Sequence, residues 1–245
     1  MNYDMLCQKK ERLDEMRKRL PKEALESFDK NFEVEYTYNS TAIEGNTLSL
    51  IQTKAVLEDG ISVGGKTLRE IYEVVNHKKA FSFVKRCIAD GKPLDEKIVK
   101  DIHALMMENI LTGGIYRTVE VRISGAGHKP PAPGEMYQQI KNFYADMPYR
   151  AEKNAVELAA WTHAEFVKIH PYVDGNGRTS RMIMNYQLMA NGFLPVSIAK
   201  ENRSCVLEKN GWYLTKNFLK KSFNMVLSVQ CSSQPYKSVN SVSKA

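Results

Sequence analysis

The sequence lacks a long apolar run: no stretch of its 245 residues approaches the roughly 18 consecutive apolar residues that a membrane-spanning helix needs. The first residues, MNYDMLCQKKERLDEM, also lack the basic segment followed by an apolar segment that marks a secretory signal peptide. We therefore expect a protein that neither spans a membrane nor is exported, and a cytoplasmic location.

Cysteine is scarce, and internal repeats are absent. The cysteines are scattered along the chain without a CxxC pair or a neighbouring histidine cluster: Cys7, Cys87, Cys205 and Cys231. Neither a zinc site nor a disulfide framework is indicated by this pattern. A reducing compartment fits this cysteine usage best.

Acidic residues are fewer than basic ones, 28 against 35, which gives a net charge of +7. Such an excess can attract nucleic acid, a membrane surface or a polyphosphate ligand, so it does not choose a partner by itself. In the densest basic stretch, residues 9–19, the positive side chains alternate with acids, which is typical of a solvated helix face. The remaining positive residues are dispersed and form no basic recognition helix, so nucleic-acid binding is disfavoured.

Apolar residues recur at intervals of three and four through most of the chain, which predicts a mostly α-helical fold. Pro21, Pro93 and Pro148 lie at the boundaries of these segments, as expected for residues that start or stop helices. The predicted helices cover residues 3–19, 21–43, 48–59, 67–90, 94–110, 135–147, 154–169, 176–191 and 212–228.

Residues 115–135 break the helical pattern. Here apolar and charged residues alternate before a Gly-x-Gly turn, and three prolines follow. Alternation bounded by glycine predicts a short β-hairpin, and the prolines prevent a long continuing strand. The exposed flap formed in this way would comprise Thr118, Val119, Glu120, Val121, Arg122 and Ile123.

The stretch HPYVDGNGRTSRMIMN, residues 170–185, joins two predicted helices through an unusual loop. Pro171 disfavours helical backbone at His170, so the preceding helix should end there. Gly175 and Gly177 then precede renewed helical spacing and mark the start of the next helix. Such a start presents unpaired N–H groups and the positive end of a helix dipole, and glycine lets a phosphate approach the backbone closely.

The side chains of this loop suit a nucleotide. Arg178 and Arg181 lie three apart in the first helical turn and can point the same way, which suits a chain of phosphates such as a triphosphate. Asp174 is enough for Mg²⁺, which takes one or two protein carboxylates and completes its octahedron with water and substrate phosphates. His170, with an ordinary pKa near neutrality, is the candidate proton acceptor for an attacking hydroxyl. These parts predict phosphoryl or nucleotidyl transfer.

Each residue also has a purely structural alternative. Asp174 could cap the helix, His170 could be a satisfied helix-end histidine, and the arginines could pair with surface acids. All of these alternatives would have to hold together within one compact segment, so the functional interpretation is favoured.

Residues 170–181 resemble the signature of the Fic family: histidine, proline, an aromatic residue, any residue, an acid, Gly-Asn-Gly-Arg, two further residues and arginine. Tyr172 stands where phenylalanine is more usual. The resemblance extends over roughly residues 45–195, through IHALMM at 102–107, GGIYR at 113–117, the segment ending in HKPPAP, and THAEFVKIHP.

The resemblance implies a mostly helical Fic-type domain with a short flap, acting as a protein adenylyltransferase that transfers AMP from ATP to a hydroxyl side chain of a target protein. It implies that His170 deprotonates the hydroxyl, that Asp174 holds Mg²⁺ against the phosphates and that pyrophosphate leaves. The implied nucleotide-binding residues are Gly175, Asn176 and Gly177, which would cradle the phosphates, and Arg178 and Arg181, which would bind the β and γ groups.

A second motif, NSTAIEGNTL at residues 39–48, is similar to the family's inhibitory pattern and supplies Ser40, Glu44 and Gly45. Because it precedes the signature, it resembles the arrangement with an N-terminal inhibitory helix. The resemblance implies that Glu44 pairs with Arg181, in a geometry that can be bidentate, and occupies the arginine needed for the γ-phosphate. ATP would still bind, but with its α-phosphorus turned from attack. The alternative is an ordinary helix-end glutamate followed by a capping glycine.

The resemblance also implies that a target segment adds to the 118–123 flap by strand pairing, while a plain surface hairpin is the alternative. The target could be another protein or the chain itself, and the oligomeric state, including a homo-oligomer, is left open. The adenine contacts are unassigned because Arg203 has no tyrosine near it before Tyr213. Two other functions are weighed: a hydrolase that removes AMP at the same site, and a nucleic-acid-binding regulator with a vestigial site.

We expect three parts along the chain. Residues 1–44 would be N-terminal helices that include the inhibitory motif, and residues 45–228 would be the catalytic domain. Residues 229–245 are serine-rich, have little periodicity and would form a flexible tail.

Overall fold

A computed structural model describes residues 3–202 with the exception of 124–127 and 153. Its described part is helical: α1 (Tyr3–Arg17), α2 (Lys22–Ala42), α3 (Leu50–Lys54), a π-helical turn (Ala55–Asp59), α4 (Leu68–Ala89), α5 (Glu96–Met107), α6 (Pro133–Ala151), α7 (Ala155–Ile169), α8 (Asn176–Ala190) and a 3₁₀ turn (Lys200–Asn202). The predicted mostly α fold is confirmed. The predicted helix at 212–228 and the tail at 229–245 lie outside the described residues.

Side-chain caps explain where several helices begin. The hydroxyl of Thr67 accepts a hydrogen bond from the backbone N–H of Glu70, whose side chain returns a bond to the Thr67 backbone, so α4 starts with a capping box. Asp95 and Asn154 cap α5 and α7 by accepting from backbone N–H groups three residues ahead. These residues satisfy N–H groups that a helix start would otherwise leave unpaired.

One core joins most of the helices. Tyr36 of α2, Phe81 of α4, Ile102 of α5, Phe143 of α6 and Ile183 of α8 belong to the same buried apolar cluster. A second cluster packs Leu6 and Leu13 of α1 against α7 and α8. Helices α7 and α8 pack side by side, and residues 170–175 connect them. The connection that carries the signature is therefore held between two core helices.

Helix α6 does not end before Pro148 as its sequence predicted, but continues to Ala151. Proline has no backbone N–H, so Pro148 cannot donate the helical hydrogen bond to the carbonyl of Tyr144. Because Pro148 lies in the last turn, this loss affects only the end of the helix. The guanidinium of Arg150, beyond the proline, stacks over Trp161 of α7 at 4.5 Å and holds this end against the neighbouring helix.

The predicted β-hairpin was wrong for the described residues of the flap: residues 118–123 contain no strand, while its turn at 124–127 lies outside the described part. Arg117 accounts for the difference. Its guanidinium donates to the carbonyl of Val119 at 2.8 Å and to that of Pro131 at 2.6 Å, so a side chain bridges the two limbs instead of a backbone ladder. Pro130 and Pro131 supply no N–H for such a ladder.

Within the part of the chain that the structure describes, none of the helices is both long enough and apolar enough to cross a membrane.

Candidate active site

His170 follows the last residue of α7 and has left-handed backbone angles, φ 53° and ψ 59°. Its N–H donates to the carbonyl of Phe166 at 2.9 Å, which closes the helix. Arg117 fixes the other side, since its Nε donates to the carbonyl of His170 at 2.8 Å and its backbone N–H to that of Pro171 at 2.9 Å. A non-glycine residue in this conformation is uncommon, and the surrounding bonds hold it there.

The ring of His170 is set up as a proton acceptor. Its Nδ1 lies 3.1 Å from the carbonyl oxygen of Val167, and because a carbonyl can only accept, Nδ1 carries the hydrogen and Nε2 has the free lone pair. Burial of the ring lowers the pKa of His170 below its usual 6.5. The imidazole is therefore neutral at pH 7 and able to take a proton at Nε2.

Asn176 closes the loop on itself. Its side-chain oxygen accepts from the backbone N–H of Tyr172 at 2.9 Å, and its side-chain nitrogen donates to the carbonyl of the same residue at 2.8 Å. Both polar ends of this buried side chain are thereby used to hold the loop in shape.

His103 of α5 supports the same loop and was not among the predicted site residues. The backbone N–H of Gly114 donates to its Nδ1 at 2.8 Å, so its Nε2 carries the hydrogen and donates to the carbonyl of Asp174 at 2.9 Å. Its ring lies parallel to that of Tyr172, with centroids 3.6 Å apart, and burial lowers the pKa of His103 to about 4. In the sequence, His103 was indicated only by its place in IHALMM, one of the stretches that resemble the family.

The start of α8 is crowded on both sides. Gly175 has φ 77°, and a Cβ there would lie 2.9 Å from the sulfur of Met107, so only glycine fits without displacement. A Cβ on Gly177 would collide with the carboxylate of Glu44. Glu44 therefore places its negative charge against the first turn of α8, the position that favours an anion.

Arg181 is 1% exposed, and α2 and the turn after it supply its partners. Its Nε donates to the hydroxyl of Ser40 at 3.0 Å, and its Nη2 donates to the carbonyl of Ser40 at 2.8 Å and to Oε1 of Glu44 at 2.7 Å. The contact between Glu44 and Arg181 is thus present, but it is a single hydrogen bond and not the bidentate one considered from sequence. Ser40 accepts from Nε and from Nη2 of the same guanidinium. Gly45 provides the turn, with φ 101°.

Arg178 is also buried, and one of its two acidic partners, Glu73 of α4, was missed from sequence. Its Nη1 lies 3.4 Å from Oε1 of Glu73, and its Nη2 lies 3.5 Å from Oδ1 of Asp174. Asn46 donates to the second oxygen of Glu73 at 3.0 Å. Glu73 occurs on the core-facing side of α4, and a buried acid among apolar residues was the signal that could have identified it.

Asp174 divides its two oxygens between the loop and α4. Oδ1 accepts from the N–H of Gly175 at 2.5 Å, and Oδ2 pairs with the guanidinium of Arg69. Burial raises the pKa of Asp174, but the charge of Arg178, the Gly175 amide and Arg69 outweigh it, so the pKa lies below its ordinary value. The described residues contain no group of three or more metal-ligating side chains. A single ionised carboxylate fits Mg²⁺ that takes its other ligands from water and phosphates.

The flap residues lie beside this loop, because Arg117 contacts both Val119 and His170. Val119 is 53% exposed, and Glu120 pairs with Lys129 at 3.2 Å. The structure thus brings together the signature residues and the Ser40 to Gly45 segment, and it places the flap next to them as irregular chain.

Known proteins with similar sequences point to one family. Residues 93–188 match the Fic/DOC family. The protein adenylyltransferase Fic of Drosophila willistoni is 34% identical over 185 residues, which is 74% of this chain and 37% of that protein. The enzyme of the same name from Drosophila persimilis is 33% identical over the same length. The chain thus spans a little over a third of the length of these curated relatives.

Solved structures agree on the fold. A Fic-domain-containing signalling protein from Bacteroides thetaiotaomicron superposes with a TM-score of 0.80 at 25% identity, covering 94% of this chain and 96% of that one. Fic-1 of C. elegans superposes with a TM-score of 0.79 at 27% identity, covering 95% of this chain and 72% of that one. Since the matched residues 93–188 include the loop built on His170 and the start of α8, this chain belongs to the Fic/DOC family.

Proposed function

We propose that this protein is an adenylyltransferase that transfers AMP from ATP to a hydroxyl side chain of a target protein, which can be a second copy of itself. The observation that carries the proposal is one loop that places a neutral imidazole, with Nε2 free to accept a proton, six residues before the start of a helix that carries two buried arginines. The names of the relatives in Drosophila support the same activity at the level of the family.

The chemistry follows from the positions of these groups. Nε2 of His170 takes the proton from the target hydroxyl, and the oxygen attacks the α-phosphorus of ATP. A bond forms between that oxygen and phosphorus while the bond from the α-phosphorus to the bridging oxygen of the β-phosphate breaks. The target keeps AMP, and pyrophosphate leaves with the electron pair. The imidazolium then returns its proton to solvent.

The phosphates would lie at the N-terminus of α8, where backbone N–H groups and the helix dipole favour anions. Arg178 and Arg181 would neutralise the β- and γ-phosphates through charge-assisted hydrogen bonds. Oδ2 of Asp174 would hold Mg²⁺, which supplies positive charge at the phosphates when bound. His103 and Asn176 would act as positioning residues, since both fasten the loop without facing the ligand.

Glu44 would inhibit this reaction by standing in for a phosphate. Its carboxylate lies against Gly177 and bonds Arg181, the two features that would receive the γ-phosphate. A nucleotide that enters while Glu44 stays in place must give up the arginine contact, so its phosphates shift and the α-phosphorus is misaligned for attack.

ATP labelled at either the α- or the γ-phosphate tests the proposal. The Glu44→Gly variant should label itself or proteins of a cell lysate with the α-label and not with the γ-label, while wild type labels weakly. Glu44→Gly combined with His170→Ala should remove the labelling because the base is lost. Glu35→Gln serves as the charge control, since Glu35 is an exposed acid on α2, the helix that precedes Glu44.

If protein were labelled from γ-labelled ATP, the activity would be that of a kinase and not AMP transfer. Equal α-labelling by wild type and by Glu44→Gly would retain the transferase but remove Glu44 as its inhibitor. Labelling that survives His170→Ala would place the base elsewhere.

A further inference from the structure

Arg69, near the start of α4, lies beside Asp174, the residue proposed to hold Mg²⁺, although the signature does not contain it. Its guanidinium pairs with Oδ2 of Asp174, and its Nε lies 3.3 Å from Oε1 of Glu73. The Arg69 side chain is 54% exposed, whereas that of Glu73 is 9% exposed. Arg69 is thus a half-exposed cation anchored at one end on a buried acid.

The two oxygens of Asp174 are not equivalent. Oδ1 accepts from the N–H of Gly175 and faces the buried guanidinium of Arg178, so it is committed to the fold of the loop. Oδ2 has Arg69 as its partner and belongs to a side chain that is 33% exposed. A cation that binds Asp174 without disrupting the loop must therefore take Oδ2.

We propose that Arg69 is an internal cation that competes with the divalent metal for Oδ2 of Asp174. This inference rests on the proposed function, which assigns Asp174 to Mg²⁺. A metal ion and a guanidinium carry like charge and cannot share one carboxylate oxygen at contact distance without repulsion. Metal binding therefore moves the end of the Arg69 side chain away, while the contact of its Nε with Glu73 provides a place to keep it.

The competition keeps Asp174 paired when no metal is bound. Without Arg69, a carboxylate whose side chain is only 33% exposed would keep only the Gly175 amide and Arg178 as partners. The cost appears as a weaker affinity for metal, because the ion pair must be broken first. Since Arg69 is half exposed, this cost should be of the size measured for exposed ion pairs.

Lys79 provides a matched control on the same helix. It is also half exposed and ion-paired, at 2.6 Å to Glu108. It lies ten residues beyond Arg69, about 15 Å along the helix axis. Lys79→Ala removes the same net charge as Arg69→Ala and leaves the surroundings of Asp174 intact.

The test measures the binding of Mn²⁺ alone, without nucleotide, to the full chain by electron paramagnetic resonance of the free ion. Arg69→Ala should bind Mn²⁺ about two- to fivefold more tightly than wild type, the factor that an exposed ion pair represents. Arg69→Lys keeps the charge but cannot bond Asp174 and Glu73 at the same time, so its Mn²⁺ affinity should lie between those of wild type and Arg69→Ala. Lys79→Ala should match wild type, and Asp174→Asn should lose this binding.

Equal Mn²⁺ affinity in Arg69→Ala and Lys79→Ala would overturn the proposal, and so would weaker binding in Arg69→Ala than in wild type. Binding that does not depend on Asp174 would overturn it too, because the competition needs that carboxylate. These outcomes are independent of the labelling assay, which tests the proposed transferase activity through α-labelling by the Glu44→Gly variant.

Discussion

Removing the charge of Glu44 should lower the stability of the free protein. Glu44→Gln keeps the size of the side chain but leaves Arg181, which is 1% exposed, with only neutral acceptors, the oxygens of Ser40 and of the introduced amide. Breaking a fully buried ion pair costs about 3 to 5 kcal/mol, and an exposed pair contributes about 0.2 to 1 kcal/mol. The side chain of Glu44 is 33% exposed, so we expect an intermediate loss of about 1 to 2 kcal/mol.

Thermal unfolding with and without Mg²⁺ and ATP measures this effect. A loss of that size lowers Tm by roughly 2 to 8 °C in a chain of this length. Nucleotide should then raise Tm more in Glu44→Gln than in wild type, because a phosphate replaces the lost anion beside Arg181. Glu35→Gln, an exposed change on α2, should leave both quantities unchanged. If Glu44→Gln melted with wild type and gained no more from ATP, the carboxylate would be neither a stabilising partner of Arg181 nor a substitute for a phosphate.

Two further predictions concern the base and the loop beneath it. Burial lowers the pKa of His170 below 6.5, so its neutral form persists into mildly acidic solution. The kcat/KM for AMP transfer by the Glu44→Gly variant should therefore fall only as pH drops through a midpoint below 6.5. A midpoint at or above 6.5 would contradict the buried, neutral base. His103→Ala removes the hydrogen bonds with Gly114 and Asp174 and the stacking on Tyr172. It should therefore lower the free energy of unfolding, measured by urea titration, by about 2 to 4 kcal/mol. Unchanged stability would show that the loop holds its shape without His103.

The helices and the loop could be predicted because their signals are local. Apolar spacing identifies each helix from its own residues, and Pro171 predicts the end of α7 at Ile169. The glycine at 175 marks the start of α8 because that position needs φ 77°. The residues proposed to carry the reaction, from His170 to Arg181, therefore lie within a dozen neighbouring positions of the sequence.

The supporting contacts could not be predicted because they join distant parts of the chain. Arg69 and Asp174 are 105 residues apart, and nothing near either residue indicates the pairing. The prediction of a β-hairpin at the flap was wrong for a related reason. The alternation of apolar and charged residues favoured a strand, but the side chain of Arg117 donates hydrogen bonds to the carbonyls of Val119 and Pro131. In both cases a guanidinium makes contacts that the spacing of apolar and charged residues does not indicate.

If Glu44 acts as proposed, its carboxylate has a second role in the resting protein, because it also compensates the charge of the buried Arg181. A guanidinium needs an acid nearby when it is removed from water, and in the absence of nucleotide Glu44 and Glu73 supply that charge to Arg181 and Arg178. Under the proposed function, nucleotide in a productive position would replace Glu44, whereas Glu73, on the core-facing side of α4, would stay. The proposal thus predicts that activation breaks the contact between Glu44 and Arg181, so variants of Glu44 should gain activity and lose stability together.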